Sequence, residues 1–552
     1  MKKSLNLYLG ILIFSILISV PLLIPYLHSG YFPTHDGEWA VVRLSDMFRE
    51  VRDLQIPPRF SGNLNFGYGY PLFNFAYPFP YYIGVLIHML GFGFVDTIKI
   101  IFGASIPLSA FFMFLASRNI WKNNYAGIIS SVLYLYFPYR LVDLYVRGSI
   151  GESVAFVLFP LILLCLSKLS DNPKSVGFKL LGGIAFACLI LTHNIMAVLF
   201  SISLLIFFTG LFIVKKQEII RPFLFITILG LTLSAFFWVP ALLEKNNILL
   251  SQIPISDRSL YFVSLKALLL SKWGYGIPTD PVDGFTYQIG WPFILVIIVT
   301  FGLLFYEYYK KVKKTQNQIM AGVLIAGILI YSLLLFSFSA PVWKLPLLSE
   351  INYPWIVLSQ LGLLISLLAG YLVKYKATIY ASVGIAVLAI VLYLPLAKPS
   401  EYVNRGEGFY FTNDATTTSS NELMPLWVKK HPNQRPSEKV KIIKGNGSIE
   451  RVNFTSKKIT FSANLITDAV VRINTIYYPG WKIFADNSEL PLSYTNDFGV
   501  MEFNLNKGMH NVTGTFSETG TRLIADLVSI IGIFFVLILF TKTYIFKFRK
   551  QI

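Results

Sequence analysis

Cysteine is almost absent from the chain, which has two, Cys165 and Cys188, in 552 residues. Both lie inside apolar segments, so neither a disulfide framework nor a cysteine-based zinc site is predicted. The six histidines are scattered and show no His-x-x-x-His spacing. A phosphate-binding glycine loop, a dinucleotide fingerprint, a Ser-His-Asp order and metalloprotease motifs are also missing. The sequence therefore gives no sign of the enzyme classes that depend on these patterns.

Charged residues are scarce as well, at 14% of the chain, whereas 55% of the residues are hydrophobic. A soluble protein could not cover that much apolar surface, so the composition predicts a polytopic α-helical membrane protein. The formal net charge is +18, and most Lys and Arg residues fall in short clusters between apolar runs. That distribution is typical of cytoplasmic loops and not of a nucleic-acid-binding surface.

About twelve segments are long and apolar enough to cross a bilayer, which takes roughly 17 to 25 residues. Placing the basic clusters in the cytoplasm puts both termini inside and residues 28–96 and 397–520 outside. Counting the stretch 81–94 as a further span would put the basic cluster from Arg118 to Lys122 outside. This stretch is therefore interpreted as a juxtamembrane or half-inserted helix. The first segment has no cleavage site and is predicted to be an uncleaved span. The predicted spans are 5–27, 97–117, 123–139, 152–170, 178–193, 195–214, 222–243, 287–309, 317–338, 353–373, 377–396 and 521–541.

Residues 397–520 differ in character from the rest of the chain, because alternating polar and apolar residues replace the apolar runs. This alternation predicts strands, and the number of strands predicts a small extracytoplasmic β-sandwich. The predicted organisation is a transmembrane domain at 1–396, the β-rich domain at 397–520, and a final span with a basic cytoplasmic tail at 521–552.

The first outer loop, 28–96, has two acids directly after the first span, Asp36 and Glu38. Charged groups at that depth either face water or act at the membrane surface. Two residues apart, the acids share one side of an extended chain but diverge on a helix. The same loop contains an aromatic run with Tyr70 and Asn74, which fits either an interfacial aromatic belt or stacking on a sugar or prenyl group.

A second cluster, Arg140, Asp143, Arg147 and Glu152, is predicted on the outer side, against the positive-inside rule. The arginines either pair with the two acids or bind a phosphate, for which the guanidinium fork is well suited. His193, on the same side, is either a satisfied loop residue or a third polar group of a site. The outer loop 245–286 is either solvated or a lid over the cavity.

Seven motifs are spread along the chain. They begin at His35-Asp-Gly-Glu, Pro57-Pro-Arg-Phe, Gly67-Tyr-Gly-Tyr-Pro, Pro138-Tyr-Arg-Leu-Val-Asp, Thr192-His-Asn, Pro346-Leu-Leu-Ser-Glu and Tyr478-Pro-Gly-Trp. Together they resemble a bacterial membrane family labelled 6-pyruvoyl-tetrahydropterin synthase-related. Pterin chemistry is not implied, because the chain has no set of three histidines for zinc. The family looks like the GT-C glycosyltransferases, including YfhO-like proteins, whose donor is typically a sugar on a polyprenyl phosphate. One departure from the family pattern is Ile356, at a position where Arg is common.

The resemblance implies an inverting glycosyltransferase that moves a sugar from a polyprenyl-phosphate donor to a glycan, lipid or protein acceptor. Asp36 is then the general base. Glu38 either orients it or binds a divalent cation, Mg or Mn, together with it. Arg147, Arg140 and His193 are expected to stabilise the departing lipid phosphate. The expected supporting residues are His35, Glu152, Tyr139, Tyr70 and Asn74.

Two other classes of function stay open on the sequence alone. One is a lipid or polysaccharide transporter or flippase, although charged residues are nearly absent from the predicted spans, where ion-coupled carriers need them. The other is a non-catalytic scaffold whose β domain binds envelope partners.

Overall fold

Apolar helices form the first part of the structure, and nine of those described are long and apolar enough to cross a membrane. The computed structural model describes residues 2–253, 256–280 and 283–549. Residues 254–255 and 281–282 of the predicted lid and residues 550–552 of the basic tail lie outside the described residues. One of the nine segments, Asn194–Leu233, is 40 residues long and contains two helices joined at Lys216–Ile219. The shorter apolar helices Asn124–Leu135 and Val176–Thr192 lie at two further predicted spans.

The α-helices are numbered in chain order. The first ten are α1 (Lys2–Leu23), α2 (Gly37–Arg52), α3 (Leu72–Phe75), α4 (Phe79–Met89), α5 (Phe94–Trp121), α6 (Asn124–Leu135), α7 (Pro138–Val142), α8 (Ile150–Asp171), α9 (Val176–Thr192) and α10 (Asn194–Lys215). The others are α11 (Ile220–Leu233), α12 (Ala235–Leu243), α13 (Leu265–Leu270), α14 (Trp291–Tyr309), α15 (Gln316–Leu334), α16 (Leu358–Ala369), α17 (Lys376–Tyr393), α18 (Glu407–Phe411) and α19 (Gly520–Arg549). Each of the twelve predicted spans contains a helix, so the predicted membrane-protein fold class is confirmed.

Two helical segments form the centre of the bundle. The apolar stretches of α8 and of Pro354–Lys374, which includes α16, are buried on all sides. A helix that is hydrophobic all round is expected to be surrounded by other helices or by lipid. By contrast, α1 and α19 are mostly exposed, as suits helices that face lipid.

The stretch 81–94, which did not fit the predicted alternation of inside and outside loops, contains most of α4, a helix of 11 residues. At about 1.5 Å per residue it is about 16 Å long, roughly half the thickness of the hydrocarbon core. It is therefore too short to cross, which fits either the juxtamembrane or the half-inserted helix predicted at 81–94.

The β domain has eight strands in two sheets. A three-stranded sheet has the order β1-β4-β7 and a five-stranded sheet the order β2-β3-β8-β5-β6. Alternate residues of β3 are buried, namely Ile459, Phe461, Ala463 and Leu465, which is the pattern of a strand with one face on the core. The strands are β1 (Val440–Lys444), β2 (Gly447–Phe454), β3 (Lys458–Leu465), β4 (Ala469–Ile476), β5 (Trp481–Ala485), β6 (Ser488–Leu490), β7 (Val500–Leu505) and β8 (Gly508–Phe516). The predicted two-sheet domain is thus confirmed.

Residues 397–439, which the sequence assigns to the β domain, differ from that expectation because their described structure is α18 and irregular chain without strands. We call them the crossing segment, since they run over α2 and the first loop before β1 begins. Arg405 of this segment donates to Glu38 at 2.6 Å. Thr417 accepts from Arg43 Nε at 2.9 Å. The crossing segment therefore forms part of the surroundings of α2.

Buried ion pairs fasten the first loop and α12 to α19. Arg59, fully buried, donates to Asp526 at 2.8 Å and to Glu518 at 3.3 Å. Arg522 donates to Glu244 at 2.8 Å. Because a buried charge is stable only when it is paired, these contacts fix the loop and the last helix relative to each other.

Candidate functional site

The acidic motif at Asp36 and the basic motif at Arg147, both predicted on the outer side, are joined through their backbones. The N–H groups of His35 and Asp36 donate to the carbonyls of Val146 and Arg147, at 3.0 and 2.8 Å. The close approach requires a glycine at 148, which has a φ of +63°, and where a Cβ atom would lie 2.1 Å from Thr34 Oγ1. Local geometry thus places the start of α2 directly against the turn that carries Arg147.

Arg147 is the central cation of the site. Its Nη2 lies 3.7 Å from Asp36 Oδ2, and its Nη1 pairs with Glu152 and donates to the Tyr139 hydroxyl at 3.1 Å. The guanidinium lies 4.8 Å from the centre of the Trp355 ring. Glu152 is fully buried, whereas the Asp36 side chain is 41% exposed. Arg147 therefore contacts the buried Glu152 on one side and the partly exposed Asp36 on the other.

Asp36 and Arg147 line one cavity of about 230 Å³. We call it the Asp36 cavity. Its walls combine aromatic rings, three cationic or imidazole groups, hydroxyls and two carboxylates. The lining residues are Asp36, Trp39, Ala40, Arg43, Tyr77, Tyr81, Arg147, Gly148, Ser149, Ile150, His193, Thr418, Ser419 and Glu422.

His193 contributes a neutral donor to this cavity. Burial, together with the nearby Arg147 charge, lowers the pKa of His193 to about 3. Its Nδ1 accepts from the Met196 N–H at 3.4 Å, so the proton of the neutral ring is on Nε2. Nε2 lies 4.0 Å from Glu152 Oε1, and the Tyr77 ring stacks on the imidazole at 5.2 Å. His193 can therefore donate a hydrogen bond without bringing a charge.

Arg43 lines the cavity but was not predicted as a site residue from the sequence. It donates to the side chain and the carbonyl of Thr417 and forms no ion pair with any described carboxylate. Its spacing could have indicated this position. Trp39, Ala40 and Arg43 follow Asp36 at i+3, i+4 and i+7, which places them on one face of the helix. The residues from the crossing segment gave no such signal, because they are nearly 400 positions away in the chain.

Other predicted site residues do not line the cavity. Glu38 points to Arg405, at 2.6 Å, and Asn74 donates to Glu244 at 2.8 Å. Tyr70 contacts Thr417 Oγ1 at 3.1 Å, which is the residue that also holds Arg43. Tyr139 bonds both Arg147 and Glu152, the latter at 2.7 Å. Tyr70 and Tyr139 thus support cavity residues, whereas Asn74 belongs to the contacts around α12.

The predicted lid packs beside the cavity. His35 Nε2 contacts the Tyr275 carbonyl at 3.0 Å, and the Phe285 ring lies 5.0 Å from Trp355. Within the described residues, loop 245–286 provides none of the cavity lining.

Arg140 does not contact the Asp36 cavity either. It is fully buried and donates to Asp143 at 3.0 Å, Ser153 at 3.2 Å and Ser105 at 2.9 Å. Of the two interpretations of this cluster, pairing with the neighbouring acid describes Arg140. The phosphate role predicted for it has no geometric support.

Replacing Arg140 with leucine is expected to lower the free energy of unfolding by about 3–5 kcal/mol, because Asp143 stays buried without its partner. Chemical unfolding of the purified protein in detergent would measure this. Lys482→Leu is the matched control, since Lys482 and Glu489 form an exposed pair at 3.1 Å, of the kind that contributes at most about 1 kcal/mol. Equal stability of Arg140→Leu and wild type would show that the buried pair is not structural.

The arrangement does not fit a divalent cation held by Asp36 and Glu38. The two carboxylates diverge, one towards Arg147 and the other towards Arg405. In the described part of the chain, no three His, Cys, Asp or Glu side chains lie together as a metal site.

Fold and site together define a polytopic membrane protein whose polar cavity pairs a carboxylate with arginines beside a membrane bundle. The chain belongs to the family described as 6-pyruvoyl-tetrahydropterin synthase related domain, membrane protein, whose model matches residues 73–397. The family predicted from the motifs is thus confirmed. The match includes Arg147 and His193 and begins after Asp36.

One curated relative is an uncharacterized protein from Lactococcus lactis subsp. cremoris (strain MG1363). It is 23% identical over 274 residues, which are 47% of this chain and 43% of the relative. The chain thus matches less than half of that relative's length.

Three solved structures are similar at TM-scores below 0.5. Arabinofuranosyltransferase AftD from Mycobacteria has 18% identity and a TM-score of 0.45, over 72% of this chain and 29% of that one. ArnT from Cupriavidus metallidurans, bound to undecaprenyl phosphate, has 15% identity and a TM-score of 0.41, over 72% and 67%. The Archaeoglobus fulgidus oligosaccharyltransferase has 12% identity and a TM-score of 0.40, over 75% and 56%.

Proposed function

We propose that this protein is a membrane glycosyltransferase that transfers a sugar from a polyprenyl-phosphate donor to a glycan, lipid or protein acceptor. The observation that carries the proposal is the pairing, at 3.7 Å, of the exposed Asp36 carboxylate with Arg147 in one cavity. Sugar transfer from a lipid phosphate requires both a base and a site for the departing anion. The donor class comes from the motif resemblance, and the cavity chemistry supports it.

In the proposed reaction Asp36 is the general base. Its carboxylate removes the proton from an acceptor hydroxyl as that oxygen forms a bond to the anomeric carbon. The bond between the anomeric carbon and the phosphate oxygen breaks at the same time, and the electron pair leaves with the lipid phosphate. A single displacement of this kind inverts the anomeric centre.

The departing phosphate is proposed to be stabilised by Arg147, Arg43 and the Nε2–H of His193. Fixed donors aimed at a developing negative charge lower the barrier because they need no rearrangement during the reaction. Arg43 suits this role particularly, because no described carboxylate neutralises it. Arg140, which the sequence placed here, is replaced by Arg43 in this proposal.

The reaction is proposed on the extracytoplasmic face, with both termini in the cytoplasm. A polyprenyl-phosphate sugar stays in the bilayer, so the cavity must lie at the membrane surface. The placement of basic clusters between the spans supports this orientation.

Glu38 is proposed to position α2 and not to react. Replacing Glu38 with glutamine is expected to lower transfer by less than about tenfold, because the Arg405 contact weakens while Asp36 keeps its hydrogen-bonded backbone. Initial rates of transfer by wild type and Glu38→Gln would measure the difference. A loss as large as that of an Asp36 variant would instead assign Glu38 a direct catalytic role.

The test of the proposal is transfer by the purified protein in liposomes. Labelled polyprenyl-phosphate sugars are supplied with envelope extracts as acceptors, and transfer is followed by the loss of label from the lipid. Movement of the labelled lipid between leaflets without transfer would indicate a transporter. The absence of both sugar transfer and lipid movement would favour the non-catalytic scaffold.

A further inference from the structure

A second, larger cavity lies between the C-terminal part of α2, the first loop and the β domain. Its volume is about 440 Å³, and we call it the basic groove. Four of its residues are basic, Arg49, Arg52, Arg435 and Lys439, and Asp53 is its single carboxylate. Such an excess of one charge in a concave surface attracts ligands of the opposite charge.

The two walls of the groove are firmly joined by the turn between β2 and β3. Ser456 N donates to Asp53 Oδ2 at 2.7 Å, so the acid is already engaged. Gln55 Nε2 donates to Ser456 Oγ at 3.3 Å, and a Cβ at Gly62 would lie 2.7 Å from Ser456 Cα. The groove is therefore a pre-formed junction of loop and β domain.

Two of the four basic residues are free to bind an anion. Arg435 is paired with Asp414, and Lys439 donates to the carbonyls of Gly67 at 2.6 Å and Asn474 at 3.0 Å. Arg49 and Arg52 form no ion pair within the described ranges. Guanidinium groups bind carboxylates and phosphates through two parallel hydrogen bonds, so this pair is suited to either anion.

Aromatic side chains line the same groove. Phe454 is 60% exposed, with Lys439 Nζ 5.4 Å from its ring centre. Trp481 is 5% exposed, and its indole N–H has no hydrogen-bond partner among the described residues. An exposed ring beside cations fits a ligand with both an apolar face and a negative charge, and a buried donor without a partner is uncommon in folded proteins.

The groove is connected to the Asp36 cavity by α2 itself. Asp36 precedes this helix, and Arg49 and Arg52 are in its last turn. At about 1.5 Å per residue the separation is about 20–24 Å. An extended polymer of several sugar units could therefore contact both places.

We propose that the basic groove binds an anionic carbohydrate polymer, with carboxylate or phosphate groups on Arg49 and Arg52 and a sugar face on Phe454. The role of this polymer as the acceptor rests on the proposed function. Binding itself does not, because the groove shares no residue with the Asp36 cavity.

The test uses the full chain in detergent with two hexasaccharide probes, hexagalacturonate, which is anionic, and maltohexaose, which is neutral. Calorimetry is expected to show binding of the first probe only, weakened by salt. Arg49→Gln combined with Arg52→Gln is expected to raise Kd by at least about tenfold. The matched control is Lys444→Gln with Arg451→Gln, two exposed cations of the β domain outside the groove, and it should leave Kd unchanged. Phe454→Ala should also weaken binding.

Three outcomes would overturn the proposal: no binding by wild type, equal binding of maltohexaose, or an equal loss in the control double variant. Asp36→Asn should bind hexagalacturonate as wild type does. A protein that binds the probe but transfers no sugar would therefore contradict the proposed function and leave the groove assignment intact. Transfer without probe binding would contradict only the groove.

Discussion

Replacing Asp36 with asparagine is expected to lower the rate of sugar transfer by about 10²- to 10⁴-fold, the usual contribution of a general base. Asparagine keeps the shape of the side chain and an oxygen near Arg147, which lies 3.7 Å from Asp36 Oδ2, but it cannot take the acceptor proton. The measurement is the initial rate of transfer from a labelled polyprenyl-phosphate sugar in liposomes. Donor binding should change little.

Asp96→Asn is the control for this variant. Asp96 is in the first turn of α5 and contacts Lys99 at 3.5 Å, so it is an acid paired with a cation but outside the cavity. Its replacement should leave transfer unchanged. If both variants transfer at the wild-type rate, Asp36 is an interfacial acid without a catalytic role.

Replacing Arg147 with lysine is expected to lower kcat/KM for the donor by about 10²- to 10³-fold, as when a preorganised donor to a developing anion is lost. Lysine keeps the charge that the buried Glu152 needs. However, a single ammonium cannot contact Glu152, Tyr139 and Asp36 in the way the planar guanidinium does. The loss should therefore appear in catalysis and not in folding, which thermal unfolding would verify.

Arg472→Lys gives the matched comparison for that change. Arg472 donates to Glu502 at 2.8 Å on the β domain, so the same substitution disrupts an arginine–carboxylate pair away from the cavity. Transfer by this variant should equal that of wild type. Undiminished transfer by Arg147→Lys would show that a point charge is enough, or that the phosphate is bound by Arg43 alone.

The elements of the fold could be predicted because their signals are local. An apolar run as long as α5 or α8 has few stable places other than a bilayer. The alternation in β3 likewise identifies a strand with one buried face from eight neighbouring residues. Such patterns need no knowledge of which distant segment covers the element.

The site could be predicted only in part, because its partners are distant in the chain. Asp36 and Arg147 were recognisable in the sequence because each is a charged residue at an unusual position. The structure places them together. The contact of Arg43 with Thr417 joins residues 374 positions apart, and the contact of Glu38 with Arg405 joins residues 367 apart. Nothing in the local sequence tells which of several loop charges has such a partner. Arg140 is the opposite case, because its partner is local. It pairs with Asp143, three residues further along the chain, as neighbouring charges on a helix often do.

The buried pairing of Arg59 with Asp526 has a consequence for the order of assembly. The two residues are 467 positions apart, and loop closure over such a distance is slow. At about 5–20 residues per second, the ribosome needs tens of seconds to reach Asp526 after adding Arg59. During that interval the first loop lacks the partner that fixes it. We expect nascent chains released before the last helix to be recognised as unfinished and degraded, because the first loop is then not yet fixed by Asp526.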